Sequence, residues 1–362
     1  MSSSASLRGE VRPFSFLSAR SNRRSRRTSP PRVETLESRV VLSGISTTDV
    51  SALVAPIALV RPGGRNRSNA PTEGQPGPGQ GPGGPRRRHH APFSDAGMMV
   101  SRNIEYPSLN GRTNRLDVYR PTGNPPAGGW PVILAIHGGG WYHFSKRQYG
   151  QRIATAFVRK GFVVVAPNYL LSRQVSPSWP MNLEDVRSAV RWTRNQASSL
   201  GIDVNRIVAM GESAGGNLAE LLGTGTQAIS GSGQSDRVSA VVSFSGPADL
   251  RTLYQQSPDA GSRAVRFLGG TPSAVPESYS AASPVDQVSP GNPPMLLIHG
   301  SADPLVPVGQ SKEMDAALTA AGVPHRLIIL PGGTHAINYP GRYSNLTPQI
   351  LAFLNEAWNH KG

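Results

Sequence analysis

Short apolar runs alternate with amphipathic segments from about residue 93 onwards, and this pattern restricts the possible folds most strongly. Residues 132–136 contain only apolar side chains and lie between Pro131 and a glycine-rich stretch. Such a run is typical of a strand that is covered on both faces of a parallel sheet. Further strands are predicted at 115–119, 162–166, 206–210, 238–244, 295–298 and 325–330. Helices are predicted at 147–159, from a cap at Asn182, after Ser213 up to Leu222, at 311–321 and at 347–358.

These segments predict one α/β domain over residues 93–362, with a mostly parallel central sheet and helices on both faces. Residues 246–292 interrupt the alternation, because they are rich in Ser, Pro and Gly and contain one short apolar patch at 265–268. Two interpretations of this segment stay open. It forms a small lid over the site, or it is a long loop.

The positive charge is concentrated before this domain. The chain has 37 basic and 22 acidic residues, a formal net charge of +15. Residues 1–92 hold 15 Arg and no Lys against 5 acidic residues, so two thirds of the net charge belongs to this tail. We therefore predict no nucleic-acid partner. A solvated spacer is the simplest interpretation of the tail, and contact with an anionic polymer or membrane surface at low salt is the alternative.

The tail, which is predicted to be disordered, divides by composition into a leader and a linker. Residues 1–60 are rich in Ser and Arg, and residues 33–43 resemble the Leu-Glu-Pro-Arg motif of many exported bacterial proteins, with Ser38 in place of Pro. The leader therefore predicts export to the cell envelope or beyond, with a cytoplasmic location as the alternative. Residues 61–92 are rich in Pro and Gly, which predicts a flexible linker. His89 and His90 at its end are expected to be solvated, with metal binding as the alternative.

The composition also limits the chemistry. There is no cysteine, which excludes disulfides, thiolate metal sites and a cysteine nucleophile. No apolar run reaches the roughly 18 residues of a membrane-spanning helix, so no span is predicted. We predict no metal and no other cofactor. The oligomeric state is not indicated by the sequence.

A nucleophile is predicted at Ser213 in the pentapeptide Gly211-Glu212-Ser213-Ala214-Gly215. The pentapeptide lies between a predicted strand and a predicted helix, where a nucleophile elbow requires a sharp turn. Glycine at both ends removes the Cβ atoms that would clash there. The positive end of the following helix favours negative charge that develops at the Ser213 hydroxyl. A Gly-rich loop is the alternative, so the flanking strand and helix carry this prediction.

The stretch His137-Gly138-Gly139-Gly140-Trp141 directly follows the strand predicted at 132–136. Its glycines leave backbone N–H groups open to a substrate oxygen. With the N–H of Ala214, the N–H groups of Gly138 and Gly139 are predicted to form an oxyanion hole. A flexible turn is the alternative. It would not explain why the stretch follows an earlier strand, where proteins with a nucleophile elbow have the loop that contributes to the oxyanion hole.

Asp303 and His335 complete a predicted catalytic triad with Ser213. Each follows an apolar strand, and the order Ser, Asp, His is the one found in folds with such an elbow. His335 would accept the Ser213 proton, and Asp303 would hold the imidazole in the correct tautomer. Other candidates are less well placed, and His299 among them is predicted to be a structural histidine. The remaining competitors are His143, His325, Asp286 and Asp315.

Together these motifs resemble the α/β-hydrolase superfamily, within it the carboxylesterase branch related to hormone-sensitive lipase, and especially the bifunctional feruloyl and acetyl-xylan esterase-like group. The resemblance covers roughly residues 95–360. It implies an eight-stranded, mostly parallel sheet and metal-independent ester hydrolysis through an acyl-enzyme. Two positions depart from the pattern: Glu212 stands where many relatives have Asp, and Asn168-Tyr169-Leu170 stands where an Asp-Tyr-Arg type sequence is common.

The predicted substrate is a small-molecule or polysaccharide ester with a short acyl, acetyl or feruloyl group. Trp141, Tyr142 and Tyr169 are predicted to bind it, because they follow strands whose carboxyl ends border the site. Three other aromatic residues lie in comparable segments, namely Phe144, Trp179 and Tyr339. Two rival interpretations stay open: a serine peptidase of the dipeptidyl-peptidase type, and a non-catalytic surface binding module of the same fold.

Overall fold

The computed structural model of this protein describes residues 95–108, 112–225, 234–335 and 346–359. The predicted leader, the predicted linker with its two histidines, and Tyr339 all lie outside these residues. Among the residues that are described, no helix is long and apolar enough to cross a membrane. In the same residues, no group of three or more His, Cys, Asp or Glu side chains is arranged to hold a metal ion.

An eight-stranded sheet organises the described residues. The strands are β1 (Met98–Pro107), β2 (Thr113–Pro121), β3 (Trp130–Ile136), β4 (Val163–Pro167), β5 (Ile202–Glu212), β6 (Ala240–Phe244), β7 (Met295–Gly300) and β8 (His325–Leu330). They lie in the order β1-β2-β4-β3-β5-β6-β7-β8. The β1–β2 and β2–β4 pairs are antiparallel, and all pairs from β4 to β8 are parallel. The mostly parallel sheet predicted from the sequence is confirmed.

Helices cover both faces of this sheet. They are α1 (Lys146–Phe157), α2 (Met181–Asn195), α3 (Ala197–Leu200), α4 (Ala214–Thr224), α5 (Leu250–Gln256), α6 (Pro258–Leu268), α7 (Pro276–Ala281), α8 (Gly309–Ala320) and α9 (Leu346–Asn359). All of β3 is buried. Val132 and Leu134 belong to a core shared with α2, α4 and α8, whereas Ile133 and Ala135 belong to one closed by α1 and α9. The alternation of strand side chains thus explains why this run has no polar face.

The structure corrects three sequence expectations. β1 is not predicted by the pattern, because this edge strand is mostly exposed and mixes polar with apolar residues. Residues 246–292 are not a long loop, since they contain α5, α6 and α7. Ser257 caps α6 by accepting a hydrogen bond from the Ala260 N–H, and Phe267 near its end is buried. Asn182 does not cap α2, because the helix already begins at Met181 after Pro180.

α4 carries a carboxyl group in the protein interior. Glu220 is fully buried, and in the described part of the chain neither of its carboxyl oxygens has a hydrogen-bond partner. Burial raises the pKa of Glu220 to about 8, and the nearby Ser243 hydroxyl offsets the effect only in part. The folded protein therefore holds a proton on Glu220 at neutral pH, whereas the unfolded chain releases it.

We expect Glu220→Gln to stabilise the protein, and to do so more strongly at pH 8 than at pH 5. The folded pKa of Glu220 lies above its ordinary value of 4.5, so the stability that depends on this proton is full below pH 4.5 and is lost as the pH rises towards 8. Gln keeps the shape and removes the titration. Thermal unfolding at pH 5, 6.5 and 8 should show a gap of several degrees at pH 8 that narrows on acidification.

The exposed Glu277 on α7 offers a matched control, and Glu277→Gln should leave the melting temperature nearly unchanged at each pH. A Glu220→Gln effect of equal size at all three pH values would contradict a protonated Glu220 in the folded state.

Candidate active site

Ser213 lies in a sharp turn between β5 and α4. Its backbone has φ 58° and ψ −124°, in a region that residues with a side chain rarely adopt. Glycines at either side allow the close approach: a Cβ on Gly211 would lie 2.0 Å from the Gly215 carbonyl oxygen, and one on Gly215 would lie 2.2 Å from the Ile136 carbonyl oxygen. The Ser213 N–H donates to the Phe244 carbonyl at 2.8 Å. Close backbone packing therefore holds Ser213 at the N-terminus of α4.

Three side chains meet where β5, β7 and β8 end. The Ser213 hydroxyl donates to His335 Nε2 at 3.0 Å, and His335 Nδ1–H donates to Asp303 Oδ2 at 2.8 Å. Asp303 follows β7 and His335 follows β8, and the carboxyl ends of parallel strands lie at one edge of a sheet. The geometry lets one imidazole nitrogen take a proton from the hydroxyl while a carboxylate holds the other nitrogen.

The loops that carry Asp303 and His335 are joined by their backbones. The Ala302 N–H donates to the Gly333 carbonyl at 2.9 Å. Gly300, at the end of β7, has no room for a side chain, because a Cβ there would lie 2.3 Å from the same Gly333 oxygen. This contact fixes the distance between the carboxylate and the imidazole.

Four donors surround the Asp303 carboxylate. Oδ1 accepts the N–H groups of Leu305 and Val306, each at 2.9 Å, and Oδ2 accepts His335 and lies 3.3 Å from His299 Nε2. Burial acts to raise the pKa of Asp303, but the hydrogen bonds from His299 and His335 outweigh it and hold the pKa well below its usual range. Asp303 is therefore ionised at neutral pH.

His299 is buried in β7, where its side chain bonds to Val306 and Ser311. Its Nε2–H donates to the Val306 carbonyl at 2.9 Å, and its Nδ1 accepts the Ser311 hydroxyl at 2.7 Å. The structural role predicted for His299 describes these bonds but misses its approach to Asp303. Spacing alone could not show this approach, since it depends on how the chain turns after β7.

The glycine run after β3 lies beside Ser213. A Cβ on Gly138 would lie 3.3 Å from Ser213 Cβ, and Gly139 has φ +109° with its Cβ position 2.4 Å from the His143 oxygen. Within the described residues, the N–H groups of Gly138 and Gly139 have no acceptor. Ala214 is the first residue of α4, so its N–H has no acceptor inside the helix. The N–H groups of Gly138, Gly139 and Ala214 thus have no acceptor among the described residues, and Gly138 and Ala214 adjoin the serine. We call residues 137–144 the oxyanion loop, after the role predicted for Gly138 and Gly139.

A buried contact between His137 and the Tyr169 ring supports the start of the oxyanion loop. The Tyr169 hydroxyl donates to the His137 carbonyl at 2.9 Å, and the two rings stack with centroids 4.3 Å apart. His137 Nδ1–H donates to the Gly138 carbonyl at 2.8 Å. Burial lowers the pKa of His137 to about 4, so this imidazole is neutral at physiological pH. The pair orients the carbonyl groups on either side of Gly138.

The oxyanion loop is anchored at its far end by a buried ion pair that the sequence did not indicate. Lys146 at the start of α1 donates from Nζ to Asp117 Oδ1 at 2.5 Å and to Asn103 Oδ1 at 2.9 Å. The Lys146 N–H also donates to Asn168 Oδ1 at 2.9 Å. These bonds fasten the loop to β1, to β2 and to the segment after β4.

The structure changes the assignment of the aromatic residues predicted to bind substrate. Trp141 and Tyr169 are each 2% exposed. Trp141 stacks on Phe267 with centroids 4.4 Å apart, and Trp179 meets the same ring edge-on. We therefore assign Trp141 and Tyr169 to support of the oxyanion loop, because neither presents a surface to a substrate. Tyr142 is partly exposed.

An ion pair next to the nucleophile was also missed. Arg152 of α1 donates to Glu212 Oε2 at 2.8 Å. Burial raises the pKa of Glu212, against the opposing influence of Arg152 and of His335. The carboxyl group of the residue before Ser213 thus lies within the electrostatic reach of the imidazole. Its position in the pentapeptide was visible in the sequence, but its partner lies 60 residues upstream.

Comparison with known proteins identifies the family. The BD-FAE family model matches residues 116–318, which is more than half of the chain. The chain belongs to this family of α/β-hydrolase esterases.

Individual relatives of this BD-FAE protein include esterases of bacterial origin. Esterase LipQ of Mycobacterium tuberculosis is 31% identical over 244 residues, which cover 66% of this chain and 55% of LipQ. A truncated carbohydrate esterase from gut microbiota is similar with a TM-score of 0.64 and 25% identity, covering 74% of this chain and 99% of that one. Est2 of the planctomycete Thermogutta terrifontis has a TM-score of 0.58 and 28% identity, with coverage of 75% and 94%. The chain spans little more than half the length of LipQ.

We expect Tyr169→Phe to lower kcat for 4-nitrophenyl acetate about tenfold while KM stays within about twofold, because one hydrogen bond that positions the oxyanion loop is lost. Steady-state kinetics would measure this. Tyr254→Phe, on an exposed tyrosine of α5, is the control and should match the wild type. A raised KM at unchanged kcat would instead mean that Tyr169 contacts the substrate.

Proposed function

We propose that this protein is a serine carboxylic ester hydrolase that works through an acyl-enzyme. The observation that carries the proposal is the hydrogen-bonded series Ser213, His335 and Asp303, with heavy-atom distances of 3.0 Å and 2.8 Å. Membership of an esterase family supports it. One relative, LipM of Mycobacterium tuberculosis, is named as a probable carboxylic ester hydrolase and adds further support.

In the proposed reaction, Ser213 Oγ attacks the ester carbonyl carbon while His335 Nε2 accepts the hydroxyl proton. The carbonyl oxygen becomes an oxyanion, which the N–H groups of Gly138, Gly139 and Ala214 stabilise. The intermediate collapses, and His335 returns the proton to the departing alcohol. Water, deprotonated by His335, then attacks the acyl carbon. As the bond from this carbon to Ser213 Oγ breaks, His335 returns the proton to Oγ, and the carboxylic acid is released. Throughout, ionised Asp303 holds the imidazole and stabilises its charged form.

We propose that the substrates are short acyl esters, acetyl esters among them, or feruloyl esters, on small molecules or polysaccharides. Two observations on other proteins support this. One similar structure is a carbohydrate esterase, and Thermogutta terrifontis Est2 has been solved with propionate and with butyrate bound. Among the three aromatic residues predicted to bind substrate, Tyr142 is the one that keeps exposed surface. Export through the leader stays a prediction, which fits a polymer-linked ester.

Replacement of Ser213 by Ala should abolish hydrolysis of 4-nitrophenyl acetate, with a loss of roughly 10³-fold or more in kcat because no nucleophile remains. The measurement is the initial rate of nitrophenol release. The control is Ser199→Ala, which changes an exposed serine of α3 and should retain full activity. Equal rates for wild type and Ser213→Ala would favour a non-catalytic binding module. Faster turnover of dipeptide 4-nitroanilides than of esters would favour the peptidase interpretation.

Asp303→Asn should lower kcat by about 10³- to 10⁴-fold, because the amide cannot stabilise the charged imidazole or hold its correct tautomer. A matched control exists in the same domain. Asp315 lies 3.2 Å from His325 and forms a similar Asp–His pair that does not include Ser213. Asp315→Asn removes the carboxylate of that pair. Near-equal activity of the two variants would contradict the role assigned to Asp303. Thermal unfolding of both proteins separates loss of function from loss of folding.

A further inference from the structure

Two side chains flank the glycines of the oxyanion loop and also reach solvent. A Cβ on Gly139 would lie 2.9 Å from Cδ2 of Phe144, and a Cβ on Gly140 would lie 2.6 Å from Cδ of Arg263 in α6. Phe144 is 66% exposed, and the Arg263 side chain is 33% exposed. Gly138 of the same run faces Ser213, so the two side chains contact the glycines one and two positions further along the chain.

Three more side chains extend this surface. The guanidinium of Arg266, also in α6, lies 4.6 Å from the centre of the Tyr142 ring. The segment after β4 joins here, since the Ser176 hydroxyl donates to the Arg266 carbonyl at 3.0 Å. The same segment carries Arg173, which is exposed. We call the set formed by Tyr142, Phe144, Arg173, Arg263 and Arg266 the rim.

The rim has more positive than negative charge. Arg263 forms an ion pair with Asp259 at 3.0 Å. In the described residues, neither Arg173 nor Arg266 has a carboxylate within 4.0 Å. A guanidinium that stacks on an aromatic ring keeps its N–H donors free at its edge, where they match the two oxygens of a carboxylate. The rim therefore has unpaired donors for an anion.

The backbone conformation of Phe144 keeps its aromatic side chain exposed to solvent at the rim. Phe144 has φ 68°, in the left-handed region that favours glycine, and it exposes more of its surface than any other large apolar side chain in the described residues. Both the conformation and the exposure cost free energy.

We propose that the rim makes this esterase selective for esters that carry a carboxylate close to the scissile bond. The inference rests on the proposed esterase function and names the substrate class of the same site. Arg266 and Arg173 would bind the carboxylate, and Tyr142 and Phe144 would pack against the carbon skeleton. Two sources share this chemistry: an acylated uronic-acid sugar, with the carboxylate in the alcohol, or a dicarboxylic acyl group on a neutral alcohol.

Two matched pairs of substrates distinguish the sources. For the acyl side, 4-nitrophenyl hemisuccinate is compared with 4-nitrophenyl butyrate, since both have four acyl carbons. For the alcohol side, an O-acetylated methyl glucuronoside is compared with the O-acetylated methyl glucoside. The quantity measured is the ratio of kcat/KM for the anionic ester to kcat/KM for the neutral ester. We expect at least one of the two ratios to be about ten in the wild type and to fall with added salt.

Charge reversal at Arg266 tests the rim directly. Arg266→Glu should lower the preferred ratio by about tenfold or more, and Arg266→Lys should lower it less, because a lysine keeps the charge but not the bidentate donor. Arg326→Gln is the matched control: Arg326 pairs with Glu356 and belongs to β8, and its loss should leave both ratios unchanged. Thermal unfolding checks that each variant is folded.

The outcomes separate the two levels of the proposal. If folded Arg266→Glu and an Arg173→Glu variant both keep the wild-type ratios, the carboxylate selectivity is overturned, while hydrolysis of the neutral esters still supports the esterase function. If the wild type hydrolyses none of the four esters, the proposed function itself fails. If Arg266→Glu lowers the ratio for the hemisuccinate and butyrate pair, the preferred carboxylate lies in the acyl group. If it lowers the ratio for the glucuronoside and glucoside pair, the carboxylate lies in the alcohol.

Discussion

The active site depends on how closely the N-terminus of α4 approaches the ends of β3 and β5. At Gly211 and Gly215, the space for a Cβ is already occupied by carbonyl oxygens at 2.0 Å and 2.2 Å. A methyl group at either position would push the helix away from the sheet. Ser213 would then lose both its φ of 58° and its place at the positive helix end. The position of Ser213 in the proposed catalytic site is therefore a consequence of backbone packing.

Close backbone packing also determines the position of Asp303 relative to His335. Gly300 lies against Gly333, and the Ala302 N–H donates to the Gly333 carbonyl, so the loops after β7 and β8 are joined by their backbones. The Asp303 carboxylate follows β7 and lies among four donors, two backbone N–H groups and two histidine nitrogens. A buried carboxylate is stable only when such donors compensate for the loss of water. Asp303 is thus held ionised by the same contacts that aim it at His335.

The parts of the fold and site that the sequence predicts are those with local signals. Apolar runs without a polar face mark buried parallel strands, and Gly211 and Gly215 mark a turn where Cβ atoms do not fit. Features that depend on partners distant in the chain were not predictable. Arg152 meets Glu212 across 60 residues, and α5 to α7 form in a Ser-, Pro- and Gly-rich segment because Phe267 and its neighbours find a core to enter. The burial of the Tyr169 ring is not predictable for a related reason: a pattern places a residue after a strand but does not show which way its ring turns.

The oxyanion loop has two sides with opposite physical character. One side is dry, where Tyr169 and a neutral His137 fix the backbone and the Lys146–Asp117 pair anchors the end. The other side carries Phe144 and the arginines of α6 in contact with water. Groups that must not move when charge develops at the oxyanion belong on the dry side, because a preorganised N–H group requires a rigid support. Groups that distinguish one ester from another belong on the wet side, where a side chain can change without disturbing Gly138. Under the proposed function, the loop would separate catalysis from selection, and substitutions in α6 would change the substrate class while the elbow and the proposed triad stay the same.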